Sequence, residues 1–139
     1  MMVKEYMHDP VFLAQKSAPA DGSDADLRTA DDLLDTLNAN RERCVGMAAN
    51  MIGILRRIIV FDENGKANEM FNPEITAKSG AFEAEEGCLS VSGVHKAVRY
   101  RKITVQYQTR TMQKRVRTFS GWTAQIIQHE IDHLNGILI

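Results

Sequence analysis

Cysteine is scarce in this chain. Cys44 and Cys88 are the only two, so at most one disulfide can form, and only in an oxidising compartment. The N-terminus, Met1-Met2-Val3-Lys4-Glu5-Tyr6, has no apolar signal core, and no apolar run approaches the ~20 residues that a membrane span requires. These absences point to a cytoplasmic protein with at least one thiol free to act as a ligand. Charge excess is lacking too: 17 Lys and Arg against 18 Asp and Glu leave a formal net charge of −1, which makes no electrostatic case for nucleic acid or an anionic membrane. Small or neutral partners are expected. No repeat, low-complexity tract or linker divides the 139 residues. That length buries a core without disulfide or metal staples, and one domain spanning residues 1–139 is expected.

Periodicity and punctuation indicate the elements. Pro10, Pro19 and Gly22 break the first 22 residues into an extended arm with turns, packed along the body. Ser23 or Asp24 caps a helix in which Leu27, Ala30, Leu34 and Leu37 recur at helical spacing, fading at Asn40 or Arg41. Asp31, Asp32 and Asp35 read as its solvated face. The small, apolar run from Cys44 to Gly53 suits close approach of the backbone to a ligand or a neighbouring strand, with Cys44 itself a small buried apolar side chain. Ile54 to Phe61 reads as a strand ending in the turn Asp62-Glu63-Asn64-Gly65, Met70 to Gly80 as a second, and Phe82 to Glu86 as a lead into Gly87-Cys88. Ala97 to Tyr107 alternates like a sheet strand, and Arg110 to Arg117 reads as an exposed one.

Phe119-Ser120-Gly121 caps a last helix running from Gly121 to Leu134, with Asn135-Gly136 as its stop. Trp122, Ala124, Ile126, Ile127, Ile131 and Leu134 cover so much of its circumference that this helix is expected to be buried. His129, Glu130 and His133 are then polar groups on a core helix and need partners. The expected fold is α+β: antiparallel β-sheets packed around the buried C-terminal helix, plus an N-terminal helix.

That last helix carries Gln128-His129-Glu130-Ile131-Asp132-His133, a His-Glu-x-x-His sequence. Two histidines four residues apart share one helical face and reach a single metal ion, and the glutamate after the first can serve as base to a water on the open side. A third ligand must come from elsewhere. Cys88 is the best candidate, because a Cys-His-His set suits a borderline or soft divalent ion and leaves one position open. An acidic third ligand would instead give a zinc-protease arrangement.

Three segments, taken together, resemble the peptide deformylase family: Gly46-Met47-Ala48-Ala49, Glu86-Gly87-Cys88-Leu89-Ser90, and Gln128 through Gly136, in the family's order, with Asn72-Pro73-Glu74-Ile75 as a further similarity. The resemblance covers most of the chain from the first helix onward. It implies removal of the formyl group from the N-terminal formyl-methionine of nascent chains, so the expected partners are N-formyl-methionyl peptides met at the ribosome. It implies that Cys88, His129 and His133 hold one divalent ion, ferrous iron in this family, with zinc or nickel able to replace it. Glu130 would carry the proton, the backbone N–H of Leu89 would stabilise the oxyanion, and Gly46, Met51 and Gly87 would meet the substrate. Glu86 would pair with Arg99 to brace the metal loop.

The sequence also departs from the family. Cys44 stands where the family has glycine, Asn50 where it has proline, and Ser92 replaces a further proline; the chain stops at Ile139, soon after the third motif. Met51 stands where the family has the glutamine that holds the formyl oxygen, and a thioether donates no hydrogen bond. Loss of one oxyanion donor typically costs roughly 2.7–4 kcal/mol, or about a hundred- to a thousandfold in turnover. A weakened deformylase is therefore expected; the alternative is a deformylase-like module that keeps fold and metal and binds peptides without processing them efficiently. Asn50 is the nearest amide to stand in, although a sequence neighbour of Met51 normally faces elsewhere.

Overall fold

The structure, a computed structural model, describes residues 3–88, 90–91 and 93–139. Its elements in chain order are α1 (Pro10–Leu13), α2 (Asp24–Ala39), β1 (Gly46–Ala48), a 3₁₀ turn (Ala49–Ile52), β2 (Ile58–Glu63), β3 (Lys66–Gly87), β4 (Val94–Gln108), β5 (Lys114–Ser120) and α3 (Gly121–Leu134). The five strands form one antiparallel sheet in simple sequential order, where more than one sheet was expected.

β2 shows how the two long helices are held apart. Its residues Ile58 to Phe61 are all buried, because both faces are covered. Ile58 and Val60 point into a cluster with Ala30, Leu33 and Leu37 of α2. Ile59 and Phe61 point the other way, into a cluster with Ala124, Ile127, Ile131 and Leu134 of α3. Period-two alternation thus serves two cores from one strand. Each such side chain contributes about 1.5–3 kcal/mol when fully buried. Asn64 and Gly65, at φ 53° and 88°, make the two-residue turn into β3 that favours positive φ at both positions.

α2 begins where Ser23 accepts a hydrogen bond from Asp26 N, at 3.2 Å, and ends with Asn40 as C-cap. Its acidic face is engaged rather than merely solvated: the Arg110 guanidinium bonds Asp31 at 2.7 Å and Glu69 at 2.6 Å, and Asp32 lies 3.8 Å from Lys4. The N-terminal arm does run along the body, through Ser17 N to Leu134 O, Arg57 N to Ala18 O, and the Asn72 side chain clamping both backbone groups of Ala20. It is not wholly extended. Asp9 accepts from Val11 N and Pro10 occupies the first turn, which nucleates the short α1.

Three further expectations need correction. Met70 to Gly80 and Phe82 to Glu86 belong to one 22-residue strand, β3. Pro73 lies inside an irregularity of the β3–β4 register, where a missing N–H is tolerated, and Gly80 continues the strand at φ 76°. β5 begins at Lys114 because Thr109 to Gln113 form a turn closed by Thr109 N to Gln113 O. Trp122 is 61% exposed: the first turn of α3 emerges from β5 beyond the cover of the sheet. No helix among the described residues is long and apolar enough to cross a membrane.

Candidate metal centre and its cavity

α3 places His129 and His133 one turn apart on its inner side, and the end of β3 delivers Cys88 to the same place. Among the described residues this is the set that gathers: the Cys88 Sγ and one nitrogen of each ring all lie within 4.8 Å of one another. The two Nε2 atoms are 3.0 Å apart. At metal–ligand bonds of ~2.0–2.3 Å a tetrahedral ion spaces its ligands by about 3.3–3.6 Å, so only small adjustments separate this cluster from a coordination shell. The donor set fits a divalent ion.

Behind the rings is a buried polar network. Glu86 Oε1 meets His129 Nδ1 at 2.9 Å, which directs the opposite nitrogen inward. Arg99 Nε and Nη2 grip the same carboxylate at 2.7–3.1 Å, while Arg99 Nη1 reaches Asp132 at 2.7 Å and Gln125 adds a bond to Glu86 at 2.8 Å. Burial alone would raise the Glu86 pKa, but bonds from His129, Arg99 and Gln125 bring it down to about 2. His129 is raised to about 10, since Cys88 and Glu86 outweigh its burial; His133, buried beside it, is lowered to about 3. A cation held here needs a lone pair from each ring, so its binding would release protons from the cluster.

Glu130 faces the cavity side. It is 4% exposed, its Oε1 has no hydrogen-bond partner among the described residues, and burial lifts its pKa to about 7. A carboxyl group poised near neutrality can take up and return a proton. Gly46 makes room for it: a Cβ there would lie 2.9 Å from Glu130 Oε2 and 2.7 Å from Ile126 Cγ2.

The cavity in front measures about 190 Å³ and runs between β1 and the end of β3. Arg43, Cys44, Val45, Gly46 and Met51 line one side, Glu85 to Cys88 the other, and Trp122, Gln125, Ile126, His129 and Glu130 of α3 form its floor. β1 is an outermost strand of the sheet. Val45 O accepts from Asp62 N of β2, so by alternation the N–H and C=O of Gly46 point away from β2, to the open edge.

The residues singled out in the sequence are thus found together, with exceptions. Gly46, Met51 and Gly87 all line the cavity. Leu89 lies outside the described residues, as does Ser92. Asn50 is fully buried and its Nδ2 donates to His133 O at 2.9 Å, so its amide is committed away from the stand-in role. Cys44 is not simply a buried apolar side chain: it lines the cavity and its thiol donates to Gly46 O at 3.0 Å. Sequence reasoning missed Gln125 and Asp132 as braces of the Glu86 network. Gln125 precedes His129 by four residues, and that spacing was the signal available.

Comparison with known proteins gives this arrangement a family. Residues 3–139 match the polypeptide deformylase family. A peptide deformylase of Clostridium beijerinckii is 49% identical over 138 residues, covering 99% of this chain and 100% of that protein. One from Chlorobium luteolum is 39% identical over 136 residues, 91% of this chain and 70% of the relative. Among solved structures, a peptide deformylase from Legionella pneumophila superposes with TM-score 0.87 at 34% identity, covering 98% of this chain and 83% of that one. The Met-Ala-Ser-bound class I type b peptide deformylase of Acinetobacter baumannii also reaches 0.87, at 30% identity over 99% and 97% of the two chains. The Cys-His-His cluster, the strand edge facing it and these similarities lead to one conclusion: the chain is an enzyme of the peptide deformylase family.

Proposed function

We propose that this enzyme hydrolyses the N-formyl group from the formyl-methionine that begins nascent polypeptides, in the cytoplasm and at the ribosome, with turnover below that of deformylases whose first motif carries a glutamine. The observation that carries the reading is the convergence of Cys88, His129 and His133 within 4.8 Å beside the buried, partly unpartnered Glu130 carboxylate. Those three residues would hold a divalent ion, with ferrous iron the native choice and zinc or nickel as substitutes. Such an ion supplies a lowered pKa for water and polarisation of the formyl carbonyl.

The chain's own residues do the rest. The peptide backbone extends the sheet along the open edge of β1, exchanging hydrogen bonds with Gly46. Its methionine side chain enters the cavity beside Ile126 and Met51, near Gly87. Glu130 takes the proton of the attacking water and delivers it to the departing amine, so that the C–N bond breaks to give formate and a free N-terminus. The Leu89 N–H is proposed to stabilise the oxyanion on the strength of the resemblance. The Arg99-Glu86-His129 chain holds one ligand ring in its productive orientation.

Met51 is the specific observation behind the weaker activity. Its thioether is buried and donates nothing to a formyl oxygen, and the neighbouring Asn50 amide is engaged by His133 O. The same observation keeps a second reading in play, a peptide-binding module without efficient turnover. An assay of ferrous protein with formyl-Met-Ala-Ser decides between them. Turnover that disappears in Glu130→Ala supports the hydrolase, and no turnover at any metal loading leaves the binding module.

A further inference from the structure

One side chain of the cavity wall has no task in this scheme, the Cys44 thiol. Its Sγ donates to Gly46 O at 3.0 Å. That carbonyl projects from the open edge of β1, which faces the Glu85 to Cys88 wall across the cavity. In the same cavity the nine-tenths-buried Glu130 carries a carboxylate oxygen with no partner among the described residues, an independent sign that a polar ligand belongs there. Burial, followed by the Glu130 charge, pushes the Cys44 pKa up to about 12, so the sulfur keeps its hydrogen at neutral pH.

We propose that Cys44 is a positioning and specificity-determining residue of the peptide slot: its thiol fixes the Gly46 carbonyl that an incoming peptide N–H must meet, and its sulfur narrows the slot beside that contact. A carbonyl oxygen has two lone pairs, so it accepts from the thiol and the peptide together. The thiol sets which direction remains open, and a peptide that reaches the carbonyl covers the sulfur. The inference rests on the deformylase reading for its substrate. The position of the thiol against a bound peptide can be read without turnover.

Two measurements test it. In steady-state kinetics with formyl-Met-Ala-Ser, Cys44→Ala raises KM about three- to tenfold, the range of one neutral hydrogen bond, with kcat falling less. Cys44→Ser, whose hydroxyl can donate to the same carbonyl, recovers most of that loss. In the second, metal-loaded wild-type protein is treated with methyl methanethiosulfonate and followed by mass spectrometry. Saturating Met-Ala-Ser slows modification of Cys44 tenfold or more. An unchanged KM in Cys44→Ala, or modification at the same rate with and without the peptide, overturns the proposal. If the wild type shows no turnover while Met-Ala-Ser still protects Cys44, the deformylase reading fails and the placement of the thiol stands.

Discussion

Arg99 and Glu86 form a buried ion pair directly behind the ring of His129, with three guanidinium–carboxylate bonds of 2.7–3.1 Å. Both side chains are less than a tenth exposed. Removing one partner of such a pair strands the other, so Arg99→Ala is expected to cost about 3–5 kcal/mol in stability. Loss of a brace on a ligand ring also weakens metal binding, by about 10–100-fold. Thermal denaturation and a competitive chelator titration measure the two effects. Arg99→Lys should fall between, because an ammonium lacks the fork that spans Glu86 and Asp132 at once. Equal metal affinity in all three proteins would show that the pair braces the fold alone.

Gly46 is held to its size by α3. A methyl group there would press on Ile126 Cγ2 at 2.7 Å and Glu130 Oε2 at 2.9 Å. Gly46→Ala should destabilise by about 1–3 kcal/mol through overpacking. It should also lower turnover at least tenfold, since the displaced group is the proposed proton carrier (~1.4 kcal/mol of barrier). Circular dichroism unchanged from wild type, together with that loss, separates a displaced carboxylate from a disrupted fold.

The parts of the site that were legible in the sequence are those made by local geometry. His129 and His133 share a helical face by spacing alone, and α3 begins at Gly121 and ends at Leu134, as its pattern indicates. Cys88 joined them through the chemistry of a Cys-His-His set and then through the resemblance, since no local rule brings residue 88 beside residue 129. Gly80 reads as the end of a strand because glycine is ordinary turn punctuation, whereas β3 runs on through it, at φ 76°, in continuous register with β4. Trp122 fits the apolar pattern of a buried helix, but its burial depends on how far the sheet extends, which periodicity does not encode. Cys44 packs against the α2-side cluster, as its reading as a small apolar side chain implies, and only the nearby carbonyl reveals that its thiol is also a donor.

Met51→Gln places an amide where the resemblance puts the oxyanion donor, and kcat/KM for formyl-Met-Ala-Ser is expected to rise about a hundredfold. The structure adds an opposing cost. Met51 is 1% exposed and packs in the α2-side cluster, so an amide left partly unpaired in the free enzyme should cost about 1–3 kcal/mol of stability. Met51→Leu separates the two effects, keeping the volume without the donor: stability near wild type and no gain in rate. A gain with leucine equal to that with glutamine would assign the effect to packing.

The Cys44 thiol offers a prediction in pH. Thiolate is the reactive form, and an ordinary cysteine with a pKa of about 8.5 reaches its full alkylation rate soon after pH 9. Cys44 is pushed up to about 12 by burial, with the Glu130 charge adding to it. Its thiolate fraction therefore grows about tenfold per pH unit across the range in which an exposed thiol has levelled off. With metal bound to shield Cys88, alkylation of Cys44 by iodoacetamide should climb with unit slope in log rate from pH 7.5 to 10 and show no plateau. Cys44→Ser supplies the blank. A plateau near pH 9 would mean that the sulfur stands in water, away from Gly46 O, with its hydrogen bond and its burial both lost.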